Sequence, residues 1–330
     1  MTAAASLASA PAQADQVTPN AQPTQQVVEV QNTFDALFGT QMRGPRTYST
    51  VLGQQLAAVA EASDGRIGVA AVDLATGHAV DVLGDQRFPM ASTSKVAIAA
   101  TFLEGVDQGK WSLTSEFPLM IPVRSAPFSS AVAPVRPGTY MTAGRLMELM
   151  LTRSNNYATD ALLKVVGGPA AVNEWVRRAG IEDWHIDRDI ATLVRDDGAI
   201  DPAAVIDKRD SATPLAMVRL LTGIYQGKWL SPSSRKILLD TMGRCVTGKR
   251  RIVAGLPETV QVLHKTGSLH NTSSDIGIIE TPDGRVFAVA IYVTGQGSRP
   301  GREARIASIA RTIYNGYLAE GPGYHHTASR

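Results

Sequence analysis

The sequence predicts an α/β protein in which one β-sheet, assembled from both ends of the chain and flanked by helices, carries an inserted helical subdomain. Three observations point there. Val-rich segments lie early, at residues 66–74 and 79–83, and again late, at 260–264, 275–280 and 286–293. Between them, apolar residues recur at helical spacing over 94–108, 143–151, 157–166, 170–179 and 214–225. The Pro and Gly residues gather in the connections, where they punctuate the periodic segments.

The elements follow in order. Val51, Leu52, Leu56, Val59 and Ala60 trace one face of a first helix within 48–62, which Asp64-Gly65 ends. Ala75-Thr76-Gly77-His78 joins the two early strands as a hairpin, and Pro282-Asp283-Gly284 joins the last two. A closing helix is expected over 302–317. The division expected is an α/β sheet subdomain from 47–85 and 228–320, a helical subdomain from 86–227, and a cleft where they meet. Residues 321–330 read as a flexible tail. Residues 1–46 read as a signal remnant and linker: 2–12 are Ala-rich, Ala12-Gln13-Ala14 fits a small-x-small cleavage site, and a Gln/Pro/Val stretch without period follows. A periplasmic or secreted location is the expectation that goes with this reading.

Composition narrows the function classes. Lys and Arg number 32 against 30 Asp and Glu, for a net charge of +2, so no basic stripe offers itself to nucleic acid. The single cysteine, Cys245, excludes an internal disulfide, and no Cys/His cluster has zinc-ligand spacing. No metal and no cofactor is therefore expected. No apolar run reaches the length of a membrane span, so no stable membrane insertion is expected.

Three short patterns carry chemistry. In Ser92-Thr93-Ser94-Lys95 a serine stands one helical turn before a lysine, so an amine of lowered pKa can accept the hydroxyl proton. Ser154-Asn155-Asn156 sets a hydroxyl and two amides between helices, suited to proton relay and to holding a substrate carbonyl. Helix capping explains the same triplet. Lys265-Thr266-Gly267-Ser268 ends an apolar run with a positive charge and a glycine that admits a close backbone approach, though a strand-ending turn would read the same way.

Taken together and in this order, the three patterns resemble the Ser-x-x-Lys, Ser-Asp-Asn and Lys-Thr-Gly set of class A β-lactamases and penicillin-recognising serine enzymes, with Asn155 for the middle aspartate. The resemblance runs from about Tyr48 to Tyr317 and includes Phe88-Pro89-Met90, Gly167-Gly168-Pro169, Arg209-Asp210 with Thr213-Pro214, and Ala254-Gly255-Leu256-Pro257. It implies the β-lactamase/transpeptidase-like fold, with a five-stranded antiparallel sheet, and a monomer acting on a small β-lactam or related acyl substrate. By the same resemblance Ser92 is the nucleophile and Lys95 helps remove its proton. The backbone N–H groups of Ser92 and Ser268 form the oxyanion hole. Ser154 protonates the leaving nitrogen, Asn156 holds the substrate amide, and Lys265, Thr266 and Ser268 meet its carboxylate. Arg251, fourteen residues before Lys265, matches an arginine that some relatives add to this anion site, with a solvated charge as the alternative. Phe128 is a candidate aromatic wall at the cleft mouth, with a core position as the alternative.

One departure matters. Relatives that hydrolyse β-lactams place a glutamate two residues after an arginine in the loop that follows the second motif, and here Arg188 is followed by Asp189 and Ile190. An aliphatic side chain cannot activate water. Val194 stands where a water-holding asparagine is expected. The loop to Asp210 is about seven residues longer than usual by this resemblance. Counting back from Asp210 puts Asp197 near the glutamate position, which makes it the tentative deacylation base; Asp189, Asp196 and Asp201 are other carboxylates of the loop. Three readings stay open: a serine β-lactamase with atypical deacylation, a penicillin-binding acyl trap or sensor, and an esterase or acyltransferase on the same fold.

Overall fold

A computed structural model describes Tyr48 and residues 50–320. The signal remnant and linker expected over 1–46 and the tail expected over 321–330 lie outside the described residues. The first helix, α1 (Val51–Val59), begins where the Thr50 hydroxyl accepts the Gly53 N–H, and it buries Leu52 and Leu56. Strands β1 (Ile67–Asp73) and β2 (Ala79–Val82) then pair as a hairpin. Its turn is closed by Asp73, which accepts the Ala75 N–H, and by Gly77 at a φ of 76° that disfavours any side chain.

The middle of the chain runs from the short β3 (Phe88–Pro89) through a 3₁₀ turn at Ala91–Ser94 into α2 (Lys95–Asp107). Helix α2 is buried over most of its circumference, as an almost wholly apolar helix must be. The segment expected to be helical throughout also holds strands: β4 (Glu116–Pro122) pairs with β5 (Val135–Thr142) across a bulge. These strands are half exposed and broken by Pro118, Pro122 and Pro137, which is why their alternation is weak in the sequence. Helices α3 (Ala143–Thr152), α4 (Asn156–Val166) and α5 (Pro169–Arg178) follow. Next come β6 (Trp184–His185), the six-residue α6 (Ile190–Arg195) and β7 (Ser211–Ala212), which joins β3 and β6 in a small sheet.

Helices α7 (Pro214–Tyr225) and α8 (Pro232–Gly243) lead, by a 3₁₀ turn at Ile252–Gly255, to β8 (Gln261–Leu269), β9 (Thr272–Glu280) and β10 (Val286–Thr294), and α9 (Arg299–Ala319) closes the chain. The large sheet has five strands in the order β2-β1-β10-β9-β8, every pair antiparallel. Its centre pairs the two ends of the chain, with Ile67 opposite Val293 and Asp73 opposite Phe287. Both faces are covered. Ile67, Val69 and Ala71 join Ile291 and Val293 under α1 and α9, while Ala70 and Val72 join Ala290 and Tyr292 under the helical middle. Burial on both faces explains why β1 and β10 read as continuous apolar runs. Truncating a residue such as Ile291 to alanine would cost ~2–5 kcal/mol.

Strand β8 extends further than the apolar run that announced it. The Lys-Thr-Gly-Ser segment lies inside the strand, with Thr266 opposite Asp275 and Ser268 opposite Ser273, and the chain reverses only at His270-Asn271, where Asn271 has a φ of 46°. The strand-ending-turn reading of this motif is thereby corrected. Its polar and glycine residues hid the strand.

Candidate active site

Ser92 sits in the 3₁₀ turn at the head of α2, and three bonds hold that turn. Thr93 Oγ1 donates to Met90 O at 2.7 Å, Ser94 Oγ donates to Ala91 O at 2.9 Å, and the Thr93 hydroxyl lies 3.3 Å from the buried Tyr292 phenol of β10. Ala91 has a φ of 48°. A left-handed residue with a side chain costs ~1–3 kcal/mol and persists where its surroundings hold it, often beside a functional group. Ser92 is partly exposed, whereas Thr93, Ser94 and Lys95 are buried.

Lys95 opens α2 one turn later with no exposed surface. Its Nζ donates to Ser154 O at 2.8 Å, Ser154 Oγ at 3.2 Å and Asn156 Oδ1 at 2.7 Å. Lys265, equally buried, donates from Nζ to Ser154 Oγ at 2.9 Å and to Thr266 O at 2.9 Å. The hydroxyl of Ser154 therefore lies between the two lysine Nζ atoms. Burial, helped by the neighbouring Lys265 charge, holds the Lys95 pKa well below that of a free lysine, against a smaller opposite pull from Asp160. Burial likewise brings Lys265 down to about 8, with Cys245 and Asp275 opposing and Arg251 assisting. Lys265 can therefore give and take protons near neutral pH, and burial disfavours the charged form of Lys95 in the same direction.

The second motif divides its labour. Ser154 has a φ of 56°, which turns the chain out of α3. Asn155 then caps α4, its Oδ1 accepting the Ala158 N–H at 2.9 Å. Capping thus explains Asn155, while Ser154 and Asn156 face Lys95.

The third motif is pressed against the first. A Cβ on Gly267 would stand 2.6 Å from Met90 O, 3.1 Å from Ala91 Cβ and 2.4 Å from Ser274 Oγ. Only glycine lets β8 come this close to the Ser92 turn, and the same approach brings the segments bearing the Ser92 and Ser268 N–H groups together. Thr266 Oγ1 bonds Thr247 Oγ1 at 2.7 Å. Arg251 is 1% exposed, which corrects the solvated-charge reading. Its guanidinium donates to Ser268 Oγ at 2.6 Å, to Gly267 O and Ser274 O at 2.7 Å, and pairs with Glu303 at 3.2 Å. It therefore reaches the third motif from inside the protein, with Glu303 balancing its charge.

The long loop is pinned at both ends. Arg188 Nε meets Asp210 Oδ2 at 2.6 Å, and Asp210 Oδ1 accepts the N–H groups of Asp187 and Arg188. Inside the loop, Asp189 caps α6 by accepting the Thr192 N–H at 2.8 Å. Ile190 is buried, and Val194 is 50% exposed. Asp196 pairs with Arg195 and accepts the Phe128 N–H at 3.0 Å. Phe128 itself is 57% exposed with a φ of 57°, so the core reading for it is corrected. Asp197 accepts the His270 N–H with both oxygens, at 2.9 and 3.0 Å, tying the loop to the β8–β9 turn, and Asp201 accepts from Asn271 at 2.8 Å. Each loop aspartate thus has a bonded partner of its own.

One residue escaped the sequence reading. Asp160 lies one turn beyond Asn156 on α4, is 6% exposed, and accepts the N–H of Ile190 at 2.7 Å and that of Ala191 at 2.8 Å. Burial and the nearby Asp189 charge raise its pKa to about 7, against those two bonds and the Lys95 charge. It is the carboxyl lying between Lys95 and the position where the loop glutamate was expected. The four-residue spacing from Asn156 was the available signal.

Comparison with known proteins agrees with this geometry. Residues 51–317 match the profile of the Beta-lactamase enzyme family. The chain is 34% identical over 268 residues to the β-lactamase CTX-M-25 of Escherichia coli, covering 80% of this chain and 88% of that protein. It is 30% identical over 249 residues to SME-1 of Serratia marcescens, covering 74% and 82%. Among solved structures, an ancestral class A β-lactamase superposes with a TM-score of 0.70 at 37% identity, covering 80% of this chain and 99% of that one. The protein PBP-A superposes with a TM-score of 0.70 at 28% identity, covering 84% and 99%. The three motifs, the strand order and these likenesses converge: the chain belongs to the class A β-lactamase family.

Proposed function

We propose that the protein is a serine β-lactamase that opens the lactam amide through an acyl-enzyme on Ser92. The observation that carries this reading is the convergence of Lys95 and Lys265 on Ser154 Oγ beside the Ser92 turn. Neutral Lys95 takes the Ser92 proton as Oγ attacks the carbonyl carbon. The oxyanion forms between the N–H groups of Ser92 and Ser268, fixed donors of the kind that dominate acyl-transfer catalysis. Ser154 passes a proton to the departing lactam nitrogen and is resupplied from its lysine neighbours. Asn156 holds the substrate's side-chain amide. The substrate carboxylate lies along Lys265, Thr266 and Ser268, with Arg251 behind them, and Phe128 borders the cleft mouth. The substrate is a small β-lactam and the working unit a monomer. An exported location, periplasmic or secreted, belongs to the same proposal and rests on the composition of residues 2–14.

Deacylation is atypical in this reading, because Ile190 supplies no base. Two carboxyls compete for the part. Asp197, favoured by counting back along the loop, is held by the His270 N–H. Asp160 accepts the N–H groups of Ile190 and Ala191 and lies near enough to Lys95 to feel its charge, which puts a carboxyl at the place where the loop glutamate was expected, and we favour it for that position. The second reading, an acyl trap or sensor, is favoured by Ile190 itself: if neither carboxyl reaches water, the ester persists. Mixing the protein with a chromogenic cephalosporin, while following colour and intact mass together, tests these readings. Sustained colour with a transient adduct supports the hydrolase. A single stoichiometric burst with a lasting adduct contradicts it in favour of the trap, and the absence of both favours an esterase or acyltransferase.

A further inference from the structure

The loop between β4 and β5 is fastened to α6 by side chains that the acyl-transfer steps leave unused. Arg195 ends α6 and Asp196 follows it as the C-cap. Arg195 Nε donates to Asp196 Oδ1 at 2.7 Å and Nη2 to Oδ2 at 3.1 Å, in a pair whose side chains are 7% and 4% exposed. Asp196 Oδ1 also accepts the Phe128 N–H at 3.0 Å, while Arg195 donates to Ser130 O at 2.8 Å and to Ser130 Oγ at 3.0 Å. One turn back along α6, Thr192 Oγ1 accepts the Ala133 N–H at 2.8 Å. Two adjacent residues of opposite charge thus grip Phe128 and Ser130, and the helix that bears them begins at Ile190, which is bonded to Asp160 one turn beyond Asn156.

The stability of α6 does not account for this grip. A carboxylate at a helix C-terminus faces the negative end of the helix dipole, yet Asp196 stands there buried. What it holds is a residue in a costly state: Phe128 has a φ of 57° and is exposed, so burial of its ring does not offset the backbone strain. Val132 of the same loop and Val194 of α6 are exposed as well. Apolar side chains left in solvent on two segments that are tied together mark a surface that a ligand covers. We infer that Asp196, neutralised by Arg195, is a positioning residue that fixes Phe128 beside the acyl side chain of the substrate, so that β-lactams with an aryl side chain are acylated in preference to those with a small one. The inference rests on the β-lactam reading of Ser92. An aryl group leaving the amide held by Asn156 gains an aromatic contact from a fixed Phe128, and a methyl group in its place does not. A Phe128 released from Asp196 relaxes out of the left-handed region and loses that advantage.

The test compares two penicillins that differ only in the side chain, phenylacetyl against acetyl, by the second-order rate of adduct formation read as intact mass, which is measurable whether or not the adduct is later released. The wild type is expected to favour the phenylacetyl compound by roughly tenfold, the size of one aromatic contact. Phe128→Ala and Asp196→Ala are each expected to abolish the preference while leaving the acetyl rate within about twofold of wild type, and the double variant to do no more than either alone, because both act through one ring. Asp196→Asn keeps an acceptor for the Phe128 N–H and is expected to retain most of the preference. The acetyl penicillin is the control for folding: an Asp196→Ala that loses both rates alike shows a structural role and overturns the inference. So does an Asp196→Ala that keeps the preference, or one whose effect adds in full to that of Phe128→Ala. A wild type acylated by both penicillins without preference overturns this inference alone, whereas acylation by neither overturns the β-lactam reading and the inference with it.

Discussion

Asp160 accepts the backbone N–H of Ile190 at 2.7 Å, so a carboxyl on α4 holds the very residue that stands where the loop glutamate was expected. A second bond, from Ala191 at 2.8 Å, makes the clamp two-pronged. The carboxyl, the nearby Lys95 and the start of α6 therefore form one connected unit, and the proposed release of the acyl-enzyme is the step that tests it.

Replacing Asp160 by asparagine keeps one acceptor and removes the charge. The lifetime of the Ser92 adduct, read by intact mass after mixing with a penicillin, is expected to lengthen at least tenfold, with a smaller change in the rate of its formation. Asp197→Asn is expected to leave deacylation within about twofold of wild type, an effect below ~0.5 kcal/mol. The reverse ranking would return the part to Asp197.

Asp160 also predicts a pH dependence of stability. Its folded pKa of about 7 lies above the unfolded value of 3.8, so the folded state holds the proton more tightly. Stability from this group is complete below about pH 4 and declines as pH rises to about 7, by on the order of a few kcal/mol. Urea unfolding of the wild type relative to Asp160→Asn, compared between pH 4.5 and 7.5, should show the wild type losing ground. An unchanged difference would contradict the raised pKa.

Gly267→Ala tests the contact between the first and third motifs. The added Cβ meets Met90 O, a backbone atom with no rotamer to adopt, so β8 and the Ser92 turn must separate. A stability loss of ~1–3 kcal/mol is expected from overpacking. The burst rate with a chromogenic cephalosporin is expected to fall by about a hundredfold or more, or ~2.7 kcal/mol of transition-state stabilisation.

Arg251→Lys keeps the charge but loses the fork that reaches Ser268, Gly267, Ser274 and Glu303 together. KM for a carboxylate-bearing β-lactam should rise more than kcat falls. Arg251→Ala leaves Glu303 without its most buried partner and is expected to cost ~3–5 kcal/mol by urea unfolding. A proportional fall in kcat with unchanged KM would count against a place in the carboxylate site.

The sequence made the architecture legible because the large sheet is buried on both faces, and its strands β1 and β10 advertise that with apolar runs. Strands β4 and β5, half exposed and interrupted by prolines, carry no such signal. The end of β8 was obscured by the polar and glycine residues of its Lys-Thr-Gly-Ser segment. At the site, fixed motif spacings marked Ser92, Lys95, Ser154, Asn156 and Lys265. Whether Arg251 is buried depends on Glu303, which lies 52 residues away, and no local pattern reports it. The partners of Asp197 and Asp160 are similarly set by the path of a long loop, which spacing alone does not determine.

The central claim, a covalent acyl-enzyme on Ser92 that is subsequently released, is tested most directly by time-resolved intact mass spectrometry of the wild type and Ser92→Ala mixed with a penicillin. The account predicts a wild-type adduct of the full penicillin mass that forms and then decays as hydrolysed product accumulates, and no adduct on Ser92→Ala. An adduct that forms on Ser92→Ala, or a wild type that hydrolyses the penicillin unchanged by that substitution, would contradict it.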